Sequence, residues 1–392
     1  MAEKVALTGN EAAALAMKQI DPDVVAAYPI TPQTELMHDF AQFVADGGVS
    51  TEFVAVESEH SAMSACVGAA ASGARAMTAT CGPGLALMWE ILYVAASYRL
   101  PIVMAVVNRA LSGPLNIHCD HSDSMGARDS GWIQIFSEDS QEVYDNLIQA
   151  VRIAEHKDVL LPVMVCFDGF IISHTMQILE TLSKEKVQQF IGEYTPAYTL
   201  LDVKNPITVG SLDLPAYYFE HKRKQVEAMK NSFAVIQQVA KDYAKLSGRS
   251  YSFAERYRLE DAEIVLVAMG SVCGTAKAAI ENLREKGISA GLLKLRLFRP
   301  FPAEEIVGAL RGAKLVAVLD RSISFGLGGP LFHEVCSASY QSGLKTPIVS
   351  AIYGLGGRDT TLEDLEAHIE RLSEQMRSAK VQMEPSYITL RE

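Results

Sequence analysis

The 392 residues contain no apolar run long enough to cross a bilayer. The longest candidates, Val159–Val165 (interrupted by Pro162) and Ile264–Met269, are the size of a strand. The opening stretch, MAEKVALTGNEAAALAMKQ, sets acidic and polar side chains among its apolar ones and so lacks a secretory h-region. Together these features read as a cytoplasmic chain without a membrane partner. Positive charge is in deficit: 35 Lys and Arg face 47 Asp and Glu, for a net charge of −12. Phosphate binding on the scale of a nucleic acid needs a concentrated basic surface, so such a partner is not expected. Cysteine is sparse. Cys66, Cys81, Cys119, Cys166, Cys273 and Cys336 are nowhere closer than fifteen positions, and no C-x-x-C occurs. That excludes a local zinc knuckle or ferredoxin-type cluster, and any electron-transfer centre must sit on another chain. A dinucleotide fingerprint is missing too. Gly326-Leu327-Gly328-Gly329 has the wrong spacing, and no first strand-to-helix turn of a domain carries it.

What is present is an ordinary folded composition, 49% hydrophobic and 21% charged, in a chain long enough for two domains. Short apolar runs alternate with helical patterns. Strands are expected at Val24–Tyr28, Phe53–Val56, Ala76–Thr80, Pro101–Val107 and Pro162–Phe167. Helices are expected at Glu11–Gln19, Thr34–Val44, Ser61–Ser72, Leu85–Ser97 and Val143–Glu155. Strands separated by helices imply right-handed crossovers and a parallel sheet covered on both faces. From Gly192 to Tyr257 the pattern dissolves, then resumes with strands at Ile264–Met269, Ala290–Leu297 and Leu315–Asp320. The sequence thus predicts an α/β protein of two doubly wound domains, 1–191 and 258–392, joined by an arm at 192–257. The basic run His221-Lys222-Arg223-Lys224 in that arm reads as a solvated helix face.

Ligands of open parallel sheets bind beyond the carboxyl ends of the strands. In the first domain those ends deliver Tyr28-Pro29-Ile30-Thr31-Pro32, Glu57-Ser58-Glu59-His60, Cys81-Gly82-Pro83-Gly84 and Asn108-Arg109. One edge would therefore present a hydroxyl, a carboxylate, a turn allowing close backbone approach and a guanidinium. Each has a plainer reading. Thr31 could cap the following helix, Glu59 could simply favour a helix start, and Arg109 could make a structural ion pair. Their coincidence at one edge favours a site. Further on, His118-Cys119-Asp120-His121-Ser122-Asp123 crowds potential metal ligands together. Consecutive loop residues seldom converge on one ion, so this reads as a polar active-site or interface loop, and no metal is assigned to the chain.

The segments YPITPQTEL, EFVAVESEHSA, TATCGPGLALMWE and VNRALSGPLNIHCDHSDSMGARDSGWIQIF occur in this order, followed by LRLFRPFP and YGLGGRD. This series resembles the α subunits of pyruvate:ferredoxin oxidoreductases, within the thiamine-dependent 2-oxoacid:ferredoxin oxidoreductases. The resemblance implies a transketolase-like pyrimidine-binding domain followed by a transketolase C-terminal-like domain. It also implies oxidative decarboxylation of pyruvate with coenzyme A, giving acetyl-CoA and CO₂, with electrons leaving to ferredoxin. Position by position, Glu59 matches the carboxylate at N1′ of the thiamine aminopyrimidine, where it raises the basicity needed at the thiazolium C2. Thr31 matches a residue touching the 2-oxoacid, and Arg109 matches the arginine that holds its carboxylate. Pro29, Ile30, Gly82 and Pro83 fall in the cofactor-contacting turns, and Asn116 in the substrate loop. No G-D-G…N segment exists to hold Mg²⁺ and diphosphate. The implied thiamine diphosphate is then shared with a β subunit that brings Mg²⁺ and a cluster, while γ and δ subunits, or their fusion, bring the remaining iron–sulfur clusters. Alone, the chain should be inactive. The implied alternatives are a branched-chain (2-oxoisovalerate) enzyme with a closely similar α subunit, or a subunit that only organises such a complex.

Overall fold

Runs of four to six apolar residues are too short for stable helices, and here they become strands buried on both faces. The computed structural model describes residues 3–391. Its first eight strands are β1 (Glu3–Leu7), β2 (Val24–Ala27), β3 (Glu52–Ala55), β4 (Ala76–Thr80), β5 (Val103–Asn108), β6 (Ile133–Phe136), β7 (Val163–Asp168) and β8 (Gln177–Thr181). Six of them form a parallel sheet in the order β3-β2-β4-β5-β7-β6. β1 and β8 pair separately as an antiparallel ribbon, Glu3 opposite Thr181. The helix between β1 and β2, Gly9–Ile20, starts from a reciprocal cap in which Thr8 and Glu11 each accept the other's backbone N–H.

The remaining strands are β9 (Ala254–Tyr257), β10 (Ile264–Ala268), β11 (Ala290–Leu295), β12 (Leu297–Arg299), β13 (Leu315–Asp320), β14 (Ile348–Ile352) and β15 (Ser386–Tyr387). All but β12 make a second sheet, β15-β14-β13-β10-β11-β9, parallel except for β9 at its edge. β12 departs from the expected single strand over Ala290–Leu297. The chain breaks at Arg296, whose guanidinium turns to Asn146 and Gln149, and Leu297–Arg299 crosses to pair antiparallel with β6. Burying Leu297 and Phe298 completely against the first sheet outweighs continuing along β11. The expected helix Leu85–Ser97 also divides, into Gly82–Leu87 and Trp89–Ser97, with Met88 at the joint.

Three apolar layers hold the sheets. One packs a face of the first sheet against helices Gly9–Ile20, Thr34–Ala45 and Ser140–Glu155. A second fills the outer face of the second sheet. The middle layer is common to both, running from Met63, Met104 and Met164 to Val265, Leu293 and Val316. The long helix Tyr218–Ser247 joins the first layer through Ala228, Val235, Ile236, Val239 and Tyr243, so this part of the arm is packed onto the first sheet. His221, Arg223 and Lys224 lie exposed near its start. Among the described residues, no helix is long and apolar enough to cross a membrane.

Candidate active site

The first sheet changes direction at β2: β3 lies on one side and β4 on the other. The crevice beyond the carboxyl ends of β2 and β4 is where such sheets bind ligands. Two turns form its walls. The first is Tyr28–Pro32, fastened by Gln33, whose Oε1 accepts the Ile30 N–H (3.1 Å) and whose Nε2 donates to Ala79 O (3.2 Å). Thr31 is exposed and caps nothing, because the next helix starts at Thr34 with Gln33 as its N-cap. Pro29 and Ile30 stand in the same turn.

The second wall is Cys81–Gly84. Gly82 has the left-handed φ of +42°, and a Cβ there would lie 3.1 Å from Cβ, Cγ and Cδ of Arg109. Pro83 occupies the first turn of the short helix Gly82–Leu87. A Cβ on Gly84 would meet Thr80 Oγ1 at 2.5 Å and the Glu59 carboxylate at 2.8 Å. Only glycine lets the turn lie between these two groups, so Glu59 and Arg109 flank one four-residue segment. Burial pushes the Cys81 thiol up to about 12, with Asp123 adding to the effect, so it stays neutral. It donates to Thr31 O at 3.0 Å.

Glu59 opens the helix Glu59–Ala71, and Ser58 caps that helix by accepting the Ser61 N–H. Glu59 is 6% exposed, and its carboxylate makes no hydrogen bond among the described residues. A buried charge without an internal partner is costly unless something docks against it. Arg109 makes no ion pair among the described residues. Its Nη1 donates to Thr31 O (2.9 Å) and its Nε to Asn116 O (3.0 Å), and Nη2 has no partner among those residues. The Asn116 side chain faces the second sheet, donating to Gly356 O (3.0 Å) and accepting the His118 N–H (2.7 Å).

Sequence reasoning missed two anchors. Asp123 accepts the backbone N–H groups of Gly82 and Arg109, both at 2.9 Å, together with Asn108 Nδ2 at 2.8 Å. It lay in the polar loop already singled out, yet its partners belong to two other strand ends. Asp168 is the last residue of β7, and inspecting one more strand end would have found it. It is fully buried and binds His121 Nε2 (2.7 Å), Arg321 Nη1 (2.9 Å) and Ser271 Oγ (2.5 Å). Burial alone would raise its pKa, but His121, Arg321 and the Ser271 hydrogen bond hold it far below the usual carboxylate range. Ser271 and Arg321 follow β10 and β13, the pair at which the second sheet changes direction. Asp168 therefore fills the crevice of the second sheet. Cys119, His121 and Asp168 are close enough to share an ion. With Asp168 already taken by Arg321 and Ser271, the group is better explained as a polar hub.

The donor sets suit half of a thiamine site. Glu59 has no hydrogen-bond partner among the described residues, which suits a carboxylate that is to meet an aminopyrimidine, and Gly84 lets the turn pack directly against it. Residues 15–241 match the family described as pyruvate flavodoxin/ferredoxin oxidoreductase, thiamine diphosphate-binding. Residues 262–365 match pyruvate:ferredoxin oxidoreductase core domain II. The chain is 59% identical to pyruvate synthase subunit PorA of Thermotoga maritima, over 94% of both chains. It is 44% identical to ketoisovalerate oxidoreductase subunit VorA of Pyrococcus horikoshii, over 99% of this chain and 98% of that one. A 2-oxoglutarate:ferredoxin oxidoreductase from Magnetococcus marinus, solved with 2-oxoglutarate, coenzyme A and succinyl-CoA bound, superposes with a TM-score of 0.72 at 22% identity. This chain spans 65% of that chain, and 95% of its own length is covered.

Proposed function

The chain belongs to the pyruvate:ferredoxin oxidoreductase family, and on that premise we propose how its own residues serve the reaction. It is the α-type subunit of a pyruvate oxidoreductase that works as a complex. The overall reaction is pyruvate plus coenzyme A to acetyl-CoA and CO₂, with two electrons passed to ferredoxin. Thiamine diphosphate, when bound, supplies the electron sink that makes loss of CO₂ feasible.

Glu59 holds a proton at N1′ of the aminopyrimidine, in a crevice where burial strengthens that hydrogen bond. Gly82 and Gly84 let the turn pack close against Arg109 and Glu59, the two groups that meet substrate and ring, with Pro83 stiffening the turn and Pro29 and Ile30 forming the opposite wall. Arg109 orients the pyruvate carboxylate through its free Nη2, a charge-assisted contact that fixes the reacting carbon in place. The Thr31 hydroxyl contacts the 2-oxoacid from the other wall, and Asn116 keeps the substrate loop closed over Arg109. A β subunit completes the site with diphosphate, Mg²⁺ and a cluster, and γ and δ subunits carry the remaining iron–sulfur clusters.

The observation that carries this reading is the buried Glu59 carboxylate without an internal partner, beside a turn that must be glycine. In the assembled complex Glu59→Gln should lower pyruvate-dependent ferredoxin reduction at least about a hundredfold while assembly survives. Near-normal turnover would overturn the assignment. The 44% identity to a ketoisovalerate enzyme motivates a parallel assay with 2-oxoisovalerate. A higher kcat/KM for that acid than for pyruvate would move the chain to the branched-chain branch.

A further inference from the structure

We propose that Asp123 is a positioning residue for 2-oxoacid oxidation, setting where Arg109 and the Cys81–Gly84 turn stand relative to Glu59. The inference rests on the reading of Arg109 as the group that holds the substrate carboxylate. Asp123 itself is 3% exposed and does not face the crevice, so it acts only through others.

All of its partners are donors. One oxygen, Oδ2, accepts the N–H groups of Gly82 and Arg109, both at 2.9 Å. The other, Oδ1, accepts Asn108 Nδ2 at 2.8 Å and the Ser124 N–H at 2.7 Å. Four donors on two oxygens call for an ionised carboxylate, because an amide or a protonated acid would point a hydrogen at one of them. The two bonds on Oδ2 pin the ends of the adjacent strands β4 and β5 to a single atom. Gly82 packs against the aliphatic stem of Arg109, and two residues later Gly84 packs against Glu59. A shift at Asp123 therefore reaches the guanidinium directly and the carboxylate through the turn. The Asn108 amide, which also donates to Ser124 Oγ at 2.9 Å, keeps Asp123 from rotating away.

The test uses the assembled complex carrying Asp123→Asn, Arg109→Ala or both, with the KM for pyruvate, kcat and thiamine diphosphate content measured for each. Asp123→Asn should raise the KM for pyruvate roughly tenfold, with a smaller fall in kcat and normal cofactor content. The double variant should have a KM within about twofold of Arg109→Ala alone, because the two residues act through one group. A merely structural aspartate would lower the yield of complex and leave the KM unchanged. If Asp123→Asn does not assemble, Asn108→Ala removes one donor and should raise the KM in the same direction, by roughly threefold. An unchanged KM in an assembled Asp123 or Asn108 variant overturns the inference, as does an additive double variant. If Arg109→Ala itself leaves the KM unchanged, it is the Arg109 assignment that fails.

Discussion

The two parallel sheets make the same kind of crevice and use it in opposite ways. In the first sheet, the ends of β2 and β4 frame an opening that holds a buried, partnerless Glu59 and an arginine with a free donor. In the second, the ends of β10 and β13 close over Asp168, which is saturated by His121, Ser271 and Arg321. One carboxylate has no hydrogen-bond partner among the described residues, the place the proposed function gives to a ligand. The other has both oxygens engaged and works as a pin between the two units. The lesson is that a switch-point crevice marks a place where a ligand can bind, and the hydrogen-bond inventory decides whether one does.

Substitutions at the two acids should separate these roles most sharply. Asp168→Asn leaves Arg321 buried without its counter-charge, so urea unfolding should show a loss of about 3–5 kcal/mol. Glu59→Gln removes a charge that nothing among the described residues pairs with, so stability should stay within about 0.5 kcal/mol of wild type, or rise, while turnover collapses. A destabilised Glu59→Gln beside an unchanged Asp168→Asn would reverse the comparison.

A second probe narrows the contrast to one atom. Gly84→Ala drives a methyl into Thr80 Oγ1 and the Glu59 carboxylate. Displacing Glu59 should lower kcat/KM roughly tenfold to a hundredfold in an assembled complex. Normal activity would mean that Glu59 does not depend on this turn.

The pH dependence of the two buried acids Asp123 and Asp168 should differ in sign. Burial raises Asp123 to about 6 from an ordinary 3.8, so the folded chain holds that proton more tightly than the unfolded chain does. Its contribution to stability therefore falls as pH climbs from about 4 to about 6, while the ionised clip that supports Arg109 forms over the same span. Asp168 is depressed instead, so its stabilisation is fully present above the ordinary carboxylate value and is lost only in strong acid. The thiols of Cys81, Cys119 and Cys166 lie near Asp123, but burial pushes them up, so they stay neutral and leave this window clear. Across about pH 4.5–7 the downward slope of the unfolding midpoint should be shallower in Asp123→Asn, with the remainder coming from Asp320, which burial raises to about 7, and in the wild-type complex the KM for pyruvate should fall across the same range. A slope that is unchanged in the variant would remove Asp123 from its causes.

How much of this was legible beforehand follows from what each feature depends on. Alternating strands and helices were readable because runs such as Val163–Phe167 and Ile264–Ala268 are apolar throughout, as strands buried on both faces must be. β6 was not, because Ile133–Phe136 is four residues at the end of a polar loop. The β1–β8 ribbon was not, because its two strands lie far apart in the chain. β12 was misread because a tertiary contact, the edge of β6, overrides local preference. In the site, Thr31, Glu59, Gly82 and Arg109 were accessible from strand ends alone. Asp123 depends on amide groups of other strands, which only the folded chain brings to it.

The clasp between Asn116 and Gly356 has a consequence for anyone recombining these units. A Cβ on Gly356 would sit 2.4 Å from the Asn116 amide, and one on Gly357 would sit 2.3 Å from His118. The loop around Asn116 in one unit is thus moulded to the backbone of the other. Chimaeras that exchange the loop near Asn116 without the Gly354–Gly357 turn would carry mismatched halves, so the two segments are best treated as a single inherited cassette.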